Sequence, residues 1–143
     1  MPYRYIDSIA IADAAFEVWD ASIKEIFKSA SEALLGIMLN NREVLSAELV
    51  KTINIEAETY DMLLFRMLNE IIYLKDAESS FYIVSDTVLK RKGNLLTLEA
   101  VLSGEKIDTS KHNTIVDVKA VTMHELSVVK KDDIWRAFVV VDV

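Results

Sequence analysis

Two stretches of the chain place apolar residues at the three- and four-residue spacing of an amphipathic helix. Ser22 precedes the first stretch and Glu25 follows three residues later, the pattern of a capping box. Thr59 precedes the second stretch and can cap it in the same way. The spacing predicts one helix from Ser22 to about Asn40 and another from Thr59 to about Asp76.

Most of the remaining chain shows the alternation or the apolar, β-branched runs of strands. Two polar turns, one with a glycine near its tip, separate the later strands into hairpins. The predicted strands are the stretch through Trp19 and residues 49–56, 81–89, 95–102, 114–129 and 134–143. Two helices packed on one mostly antiparallel, twisted β-sheet is the simplest architecture for this order of elements, so we predict an α+β fold.

The overall composition indicates a protein-binding rather than a nucleic-acid-binding domain. The length of 143 residues fits a single domain over 1–143, and the absence of cysteine fits a reducing compartment. No apolar run is long enough for a membrane helix or a signal peptide, so we expect a cytoplasmic protein. The net charge of −7 is unfavourable for tight binding to RNA or DNA and favours a basic protein partner.

The sequence contains no recognisable catalytic motif. Its three glycines are too far apart for a phosphate-binding loop, and no serine has the glycine-flanked setting of a nucleophile elbow. The basic cluster Lys90, Arg91 and Lys92 could contact phosphate, although a solvated hairpin tip explains it better. We therefore expect a protein that assists another protein rather than an enzyme.

Two aspartates occupy unusual positions at the ends of apolar strands. Asp13 interrupts an apolar N-terminal stretch, and Asp142 follows a run that has the character of a central strand. If the two strands lie side by side, both carboxylates could share an oxygen-rich site with the chain terminus at Val143. Oxygen ligands of this kind select Ca²⁺ or Mg²⁺. The alternative is that both aspartates are solvated at the strand ends.

The histidines and their neighbours allow several interpretations. His124 shares the parity of an apolar strand face, which favours a packed, hydrogen-bonded side chain. Asp117 and Lys119 lie two residues apart on the opposite face, where a surface ion pair is the default. The polar segment 103–113, which contains Asp108 and His112, is either a functional or mobile loop or a plain connection.

Several segments, in the right order, match the motifs of one known protein family. Residues 118–126 (VKAVTMHEL) resemble the family strand VKAVTYHxL. The loop with Gly104, Glu105, Asp108 and His112 resembles the family's GE…D…H pattern. Residues 61–64 and 68–74 resemble its second helix, and the chain ends like the family's terminal DV or DI. Together these segments resemble the archease family, small proteins that activate the GTP-dependent tRNA-splicing RNA ligase of the RtcB type, and the resemblance covers nearly the whole chain.

The resemblance implies an SHS2-type fold and a divalent-cation site, Ca²⁺ in family members, at Asp13, Asp142 and Val143. It implies that the protein docks on an RtcB-type RNA ligase and promotes guanylylation and repeated turnover of that ligase. Asp108, His112, Lys119 and His124 are candidates for partner contact or support. Two alternatives remain open at this point: a small hydrolase using a cation between Asp13 and Asp142, and a general chaperone-like interaction module.

One segment departs from the family pattern. The N-terminal family motif reads His-Thr-Ala-Asp, and aligning its last two residues with Ala12 and Asp13 places Ala10 at the histidine position and Ile11 at the threonine position. The role of that histidine cannot be filled by Ala10, whereas the aspartate is kept.

Overall fold

The computed structural model describes residues 3–6, 13–40 and 45–143, which form two helices and eight strands. The helices are α1 (Ile23–Met38) and α2 (Tyr60–Glu78). The strands are β1 (Tyr3–Ile6), β2 (Asp13–Asp20), β3 (Leu49–Ala57), β4 (Ser80–Lys92), β5 (Leu95–Lys106), β6 (Ala120–Val121), β7 (Ser127–Lys131) and β8 (Ile134–Asp142). Ala10 and Ile11 lie outside the described residues.

The strands form two sheets rather than the single sheet that the sequence predicts, and every described pairing is antiparallel. In the first sheet the order is β1-β2-β8, and the far edge of β8 pairs with both β6 and β7. The second sheet has the order β3-β5-β4. Because both helices contact strands of both sheets, one continuous core joins them. The predicted α+β class with two helices and antiparallel strands is confirmed.

The core lies between the helices and the apolar sheet faces. The buried side of α1 includes Ile26, Phe27 and Leu34, whereas α2 contributes Leu64 and Leu68. These positions follow the three- and four-residue spacing of the sequence pattern, which is why both helices were predictable. No helix among the described residues is long and apolar enough to cross a lipid bilayer.

The helix caps differ from the prediction at one of the two sites. Thr59 caps α2 as predicted, with its hydroxyl accepting a hydrogen bond from the Met62 amide. The predicted capping box of Ser22 and Glu25 is wrong, because Ser22 makes no side-chain cap bond. The carboxylate of Asp20 instead accepts a hydrogen bond from the Ser22 amide at 3.0 Å, so a local turn from the preceding strand leads into α1.

Both predicted hairpins form, and their turns are tighter than predicted. The first turn has only Gly93 and Asn94 between paired Lys92 and Leu95, and the positive φ of Gly93 (65°) suits a two-residue hairpin turn. In the second, Asp132 and Asp133 both have positive φ, at 53° and 64°. A turn of this kind matches the right-handed twist of the flanking strands.

The predicted strand over residues 114–129 is mostly wrong. Only β6 and the first part of β7 are strands in this range, and residues 114–119 form no strand, with a single bridge from Thr114 to Leu39. Side chains of α2 take the place of sheet pairing in this segment, as described below. Alternation in the sequence therefore did not show whether this segment would find strand partners.

Candidate functional site

Asp13 and Asp142 are directly opposite each other on neighbouring strands. The register of β2 and β8 pairs Asp13 with Asp142, Ala15 with Val140 and Glu17 with Phe138. Directly opposed residues of antiparallel strands point to the same face of the sheet, with Cβ atoms roughly 4.5–5.5 Å apart. The sequence-based hypothesis that these two strands lie side by side is therefore confirmed, and the two carboxylates are neighbours.

Neither aspartate is compensated by another side chain in the described part of the chain. No salt bridge and no side-chain hydrogen bond joins Asp13 or Asp142 to a described residue, and both are half-buried. Two carboxylates facing each other repel, and like charges at directly opposed positions destabilise a sheet. The arrangement thus concentrates negative charge at one end of the first sheet.

Two further predicted residues lie at the same end of the sheet. The Lys119 amide donates a hydrogen bond to the Asp142 carbonyl oxygen at 2.8 Å, and Ala120 pairs with Asp142. Val143 follows Asp142 directly in the sequence and packs partly against the core. The Lys119 side chain is exposed. Asp13, Asp142 and Val143 therefore form one cluster, the Asp13 cluster, which the main chain of Lys119 borders.

An open pocket of about 300 Å³ borders Asp13 on its α1 side. Its lining includes Tyr5 and Ile6 from β1 and Gly36 and Ile37 from α1. The Tyr5 hydroxyl donates a hydrogen bond to the Ala33 carbonyl at 3.0 Å, and burial raises the pKa of Tyr5 to about 12. Tyr5 thus stays neutral at physiological pH and does not offset the charge of Asp13.

Helix α2 positions the strand that borders this cluster, a feature that the sequence analysis did not identify. The Asn69 side chain accepts a hydrogen bond from the Val121 amide at 2.9 Å and donates one to the Val121 carbonyl at 3.3 Å. One amide side chain therefore replaces a strand partner for β6. A polar residue inside an apolar helix face was the available signal.

A second anchor from α2 holds residues 114–119. The ammonium group of Lys75, whose side chain is only 6% exposed, contacts the carboxylates of Asp117 and Asp76. Burial alone would lower the pKa of Lys75, but its hydrogen bonds to Asp117 and Asp76 outweigh that effect and raise it. The predicted ion pair between Asp117 and Lys119 is therefore wrong, because Asp117 pairs with Lys75 across the fold.

The loop with Asp108 and His112 is built around a buried carboxylate. Glu105, 4% exposed, accepts hydrogen bonds from the Ser46 amide at 3.1 Å and the Ser46 hydroxyl at 2.7 Å, and from Lys111 at 2.8 Å. Its Oε1 also lies 2.8 Å from His112 Nε2. The hydrogen bond from Lys111, followed by those from Ser46 and His112, holds the pKa of Glu105 well below its usual range.

His112 and Asp108 form hydrogen bonds that hold this loop together. The Asp108 amide donates to His112 Nδ1 at 2.9 Å, so Nε2 carries the ring proton and donates it to Glu105. His112 is 3% exposed and packs edge-on against Phe81. Asp108 accepts hydrogen bonds from the amide and hydroxyl of Ser110. His112 is therefore buried and cannot contact a partner, whereas Asp108 shapes the turn.

His124 is exposed, and the prediction of a packed histidine is wrong. It lies in the turn between β6 and β7, with its backbone amide bonded to the Thr122 hydroxyl at 3.2 Å. Its Nε2 atom lies 3.9 Å from a carboxylate oxygen of Glu125. The chain turns at this point, with a positive φ at Glu125, so the strand parity used for the prediction does not apply.

The donor atoms of the Asp13 cluster suit a hard cation better than a soft one. Among the described residues, no group of three or more histidine, cysteine, aspartate or glutamate side chains could hold a metal. The cluster offers the two opposed side-chain carboxylates of Asp13 and Asp142, next to the main chain of Val143. Such an all-oxygen set fits Ca²⁺ or Mg²⁺ chemistry and lacks the nitrogen and sulfur ligands of structural zinc sites.

Comparisons with known proteins agree on one family. A model described as the archease protein family (MTH1598/TM1083) matches residues 3–143. The protein archease of Pyrobaculum islandicum is 34% identical over 143 residues, with 99% of this chain and 95% of the relative covered. The protein archease of Archaeoglobus fulgidus is 33% identical over 144 residues, with both chains fully covered.

Two solved structures are similar to this one. The solution structure of protein 1598 from Methanobacterium thermoautotrophicum has a TM-score of 0.85 at 26% identity, with 99% of this chain and 98% of that chain covered. The crystal structure of TM1083 from Thermotoga maritima, described as an archease and possible chaperone, has a TM-score of 0.62 at 23% identity. It covers 94% of this chain and 93% of that one, and the likeness concerns the fold alone.

Proposed function

Because the chain belongs to the archease protein family, we propose that it is a non-catalytic protein cofactor of the GTP-dependent, RtcB-type tRNA-splicing RNA ligase. In this role it docks on the ligase, promotes guanylylation of the ligase and allows repeated turnover. The observation that supports this proposal most directly is the register that places Asp13 opposite Asp142. The match over residues 3–143 includes both aspartates.

The opposed carboxylates would hold a divalent cation, which we propose to be Ca²⁺. Asp13, Asp142 and a main-chain oxygen of Val143 would hold it, and the bound cation would supply positive charge at an otherwise acidic sheet end. Binding would relieve the repulsion between the two aspartates and fix their side chains. Lys119 would support this end of the sheet through the hydrogen bond from its main-chain amide to the Asp142 carbonyl.

Electrostatics favour docking on a basic enzyme. The chain has a net charge of −7, and an RNA ligase must present positive surface to its substrate. Complementary charge accelerates encounter and orients the two proteins, and this effect weakens as salt is added. We expect the rate of association with the ligase to fall with ionic strength.

The test is single-turnover guanylylation of the cognate ligase with wild-type protein and with Asp13→Asn. We expect wild type to accelerate formation of the ligase–GMP adduct, and Asp13→Asn to lose at least about tenfold of that acceleration, which is about 1.4 kcal/mol. The matched control is Asp133→Asn, which removes the same charge in an exposed turn where asparagine tolerates positive φ.

The possible outcomes test the activator role and the part played by the Asp13 cluster separately. If wild type does not accelerate guanylylation, the activator role is wrong. If Asp13→Asn activates as well as wild type does, the role stands, but the Asp13 cluster is not its centre. Circular dichroism of both variants establishes that each remains folded.

A further inference from the structure

A cavity of about 400 Å³ lies where both helices end, beside segment 107–117, and it shares no lining residue with the Asp13 cluster. Apolar side chains form most of its wall, and they are Met38, Phe81, Ile107, Ile115 and Val116. A cavity of this size, with an apolar wall and a few polar groups, is typical of a ligand site. Nothing in the proposed activator role uses it.

Main-chain hydrogen bonds fix two walls of the cavity. The Ile115 amide donates to the Met38 carbonyl at 2.9 Å, which ties segment 107–117 to the end of α1. The Ile107 amide donates to the Ser79 carbonyl at 2.8 Å, which ties the same segment to the end of α2. Because the chain itself holds these walls in place, a ligand would not have to order them on binding.

The charge that this cavity presents to solvent is negative. Its charged lining residues are Lys75, Asp76 and Asp117. The Lys75 side chain is only 6% exposed, whereas those of Asp76 and Asp117 are 60% and 71% exposed. The C-terminal end of α2, capped by Ser79, also lines the cavity and adds the partial negative charge of the helix dipole. The cavity therefore favours a cation over an anion.

The buried ammonium group of Lys75 has one unused donor. An ammonium group carries three N–H bonds, and that of Lys75 contacts Asp76 and Asp117. No further hydrogen bond joins Lys75 to a residue in the described part of the chain. Because Lys75 lines the cavity, its third N–H is available to an oxygen acceptor of a ligand. The ligand should therefore combine an apolar body and a positive charge with such an oxygen.

We propose that this cavity binds a peptide segment of a partner protein that carries an apolar side chain and, two residues further along, a basic side chain. The apolar side chain would fill the space between Phe81, Ile115 and Val116. Alternate side chains of an extended peptide point the same way, so the basic side chain would reach the two exposed carboxylates. A main-chain carbonyl of the segment would accept the third N–H of Lys75.

The probe is a capped pentapeptide with leucine at its second position, arginine at its fourth and glycine elsewhere. On titration, the methyl NMR signals of Ile107, Ile115 and Val116 should shift. Replacing the leucine by glycine should weaken binding at least about tenfold, because the apolar wall loses its contact. Replacing the arginine by citrulline, which is similar in shape but uncharged, should weaken it about threefold at low salt, as expected for exposed ion pairs. Replacing the arginine by glutamate should weaken it at least about tenfold.

The variant Val116→Lys tests the site from the side of the protein. Val116 lines the cavity next to Asp117, so a lysine there would cover the mouth and neutralise the charge that attracts the probe. We expect it to bind the probe at least about tenfold more weakly than wild type. The matched control is Val88→Lys, because Val88 is 45% exposed against 40% for Val116 and lies on β4 outside the cavity. It should bind within about twofold of wild type, and matching melting temperatures would establish that both variants are folded.

Several results would overturn the proposal. It fails if the probe does not bind, if the shifts map to another surface, or if Val116→Lys binds the probe as Val88→Lys does. Isoamylamine has an apolar body and an ammonium group but no carbonyl, so it should bind at least about tenfold more weakly than the probe. Equal binding of isoamylamine would mean that the occupant is a small organic cation rather than a protein segment. No ligase takes part in this test, so its failure leaves the proposed activator role intact.

Discussion

Two groups of carboxylates in this molecule lie in opposite electrostatic environments. Glu105 is buried, and Ser46, Lys111 and His112 donate hydrogen bonds to it. Asp13 and Asp142 are half-buried and face each other, with no such donor among the described side chains. The charge of Glu105 is satisfied by hydrogen bonds from within the chain. The carboxylates of Asp13 and Asp142 accept no hydrogen bond from a described side chain, and they repel each other.

The difference separates a structural carboxylate from one that is available to a ligand. Removing an internally satisfied buried charge leaves its partners unpaired, so the cost appears in folding stability. Removing one of two opposed, uncompensated charges costs the fold little and affects what the site can bind. The same chemical change, loss of a carboxylate, should therefore have opposite consequences in the two groups.

The largest expected effect is that of Glu105→Ala. The substitution leaves the His112 ring, the Ser46 hydroxyl and the Lys111 ammonium without their acceptor, so we expect a loss of about 3 kcal/mol in the free energy of unfolding. Urea denaturation of wild type and variant measures it, with Glu99→Ala, an exposed glutamate of the same strand, as control. A loss no greater than that of Glu99→Ala would show that the network is not structural.

The difference between the two groups was only partly visible in the sequence. The sequence identified Asp13 and Asp142 as carboxylates beside apolar runs typical of strands, but their juxtaposition was a conditional hypothesis, because it required the two strands to be neighbours. The burial of His112 was not predictable from the sequence. His112 bonds to Glu105, and Glu105 also accepts a hydrogen bond from Ser46, which lies far away in the sequence. Only tertiary contact joins them.

The same limit explains the errors in the fold. Both helices followed from periodicity, which is a local property of the sequence. The division into two sheets and the short β6 were not predictable, since α2 rather than a strand satisfies Val121 through Asn69. Strand parity failed at His124 for a related reason, because a turn begins before that residue. The alternation of apolar and polar residues does not show which distant segments pair with each other.

Calcium should produce the second largest effect and act on the Asp13 group alone. If the opposed aspartates bind the cation only in the folded state, Ca²⁺ at about a hundredfold its Kd stabilises the protein by about 2.7 kcal/mol. Thermal unfolding with Ca²⁺ or a chelator measures this gain. Asp13→Asn should lose it and Asp133→Asn should keep it. An equal gain in Asp13→Asn would place the cation elsewhere.

Lowering the pH should reduce the folding stability that Glu105 contributes. Because the folded-state pKa of Glu105 is depressed, its contribution is fully present above the usual glutamate pKa, about 4.3, and is lost as pH falls from there toward the folded-state pKa. Glu105→Gln cannot titrate, so the stability difference between wild type and this variant should shrink by up to about 1.4 kcal/mol per pH unit in that range. Urea denaturation between neutral and acidic pH provides the measurement. A difference that stays constant with pH would contradict the assigned network.

The smallest expected effect has the opposite sign and tests the repulsion directly. In the presence of a chelator, Asp13→Asn removes one of two facing negative charges, so we expect it to stabilise the protein by about 0.5 kcal/mol. The gain should diminish at high salt, because screening weakens the repulsion that the substitution relieves. Paired urea denaturation curves at low and high ionic strength can resolve it, with Asp133→Asn as the charge-matched control. A destabilised Asp13→Asn would mean that Asp13 is held by a favourable interaction within the chain, and the distinction between the two carboxylate groups would then be lost.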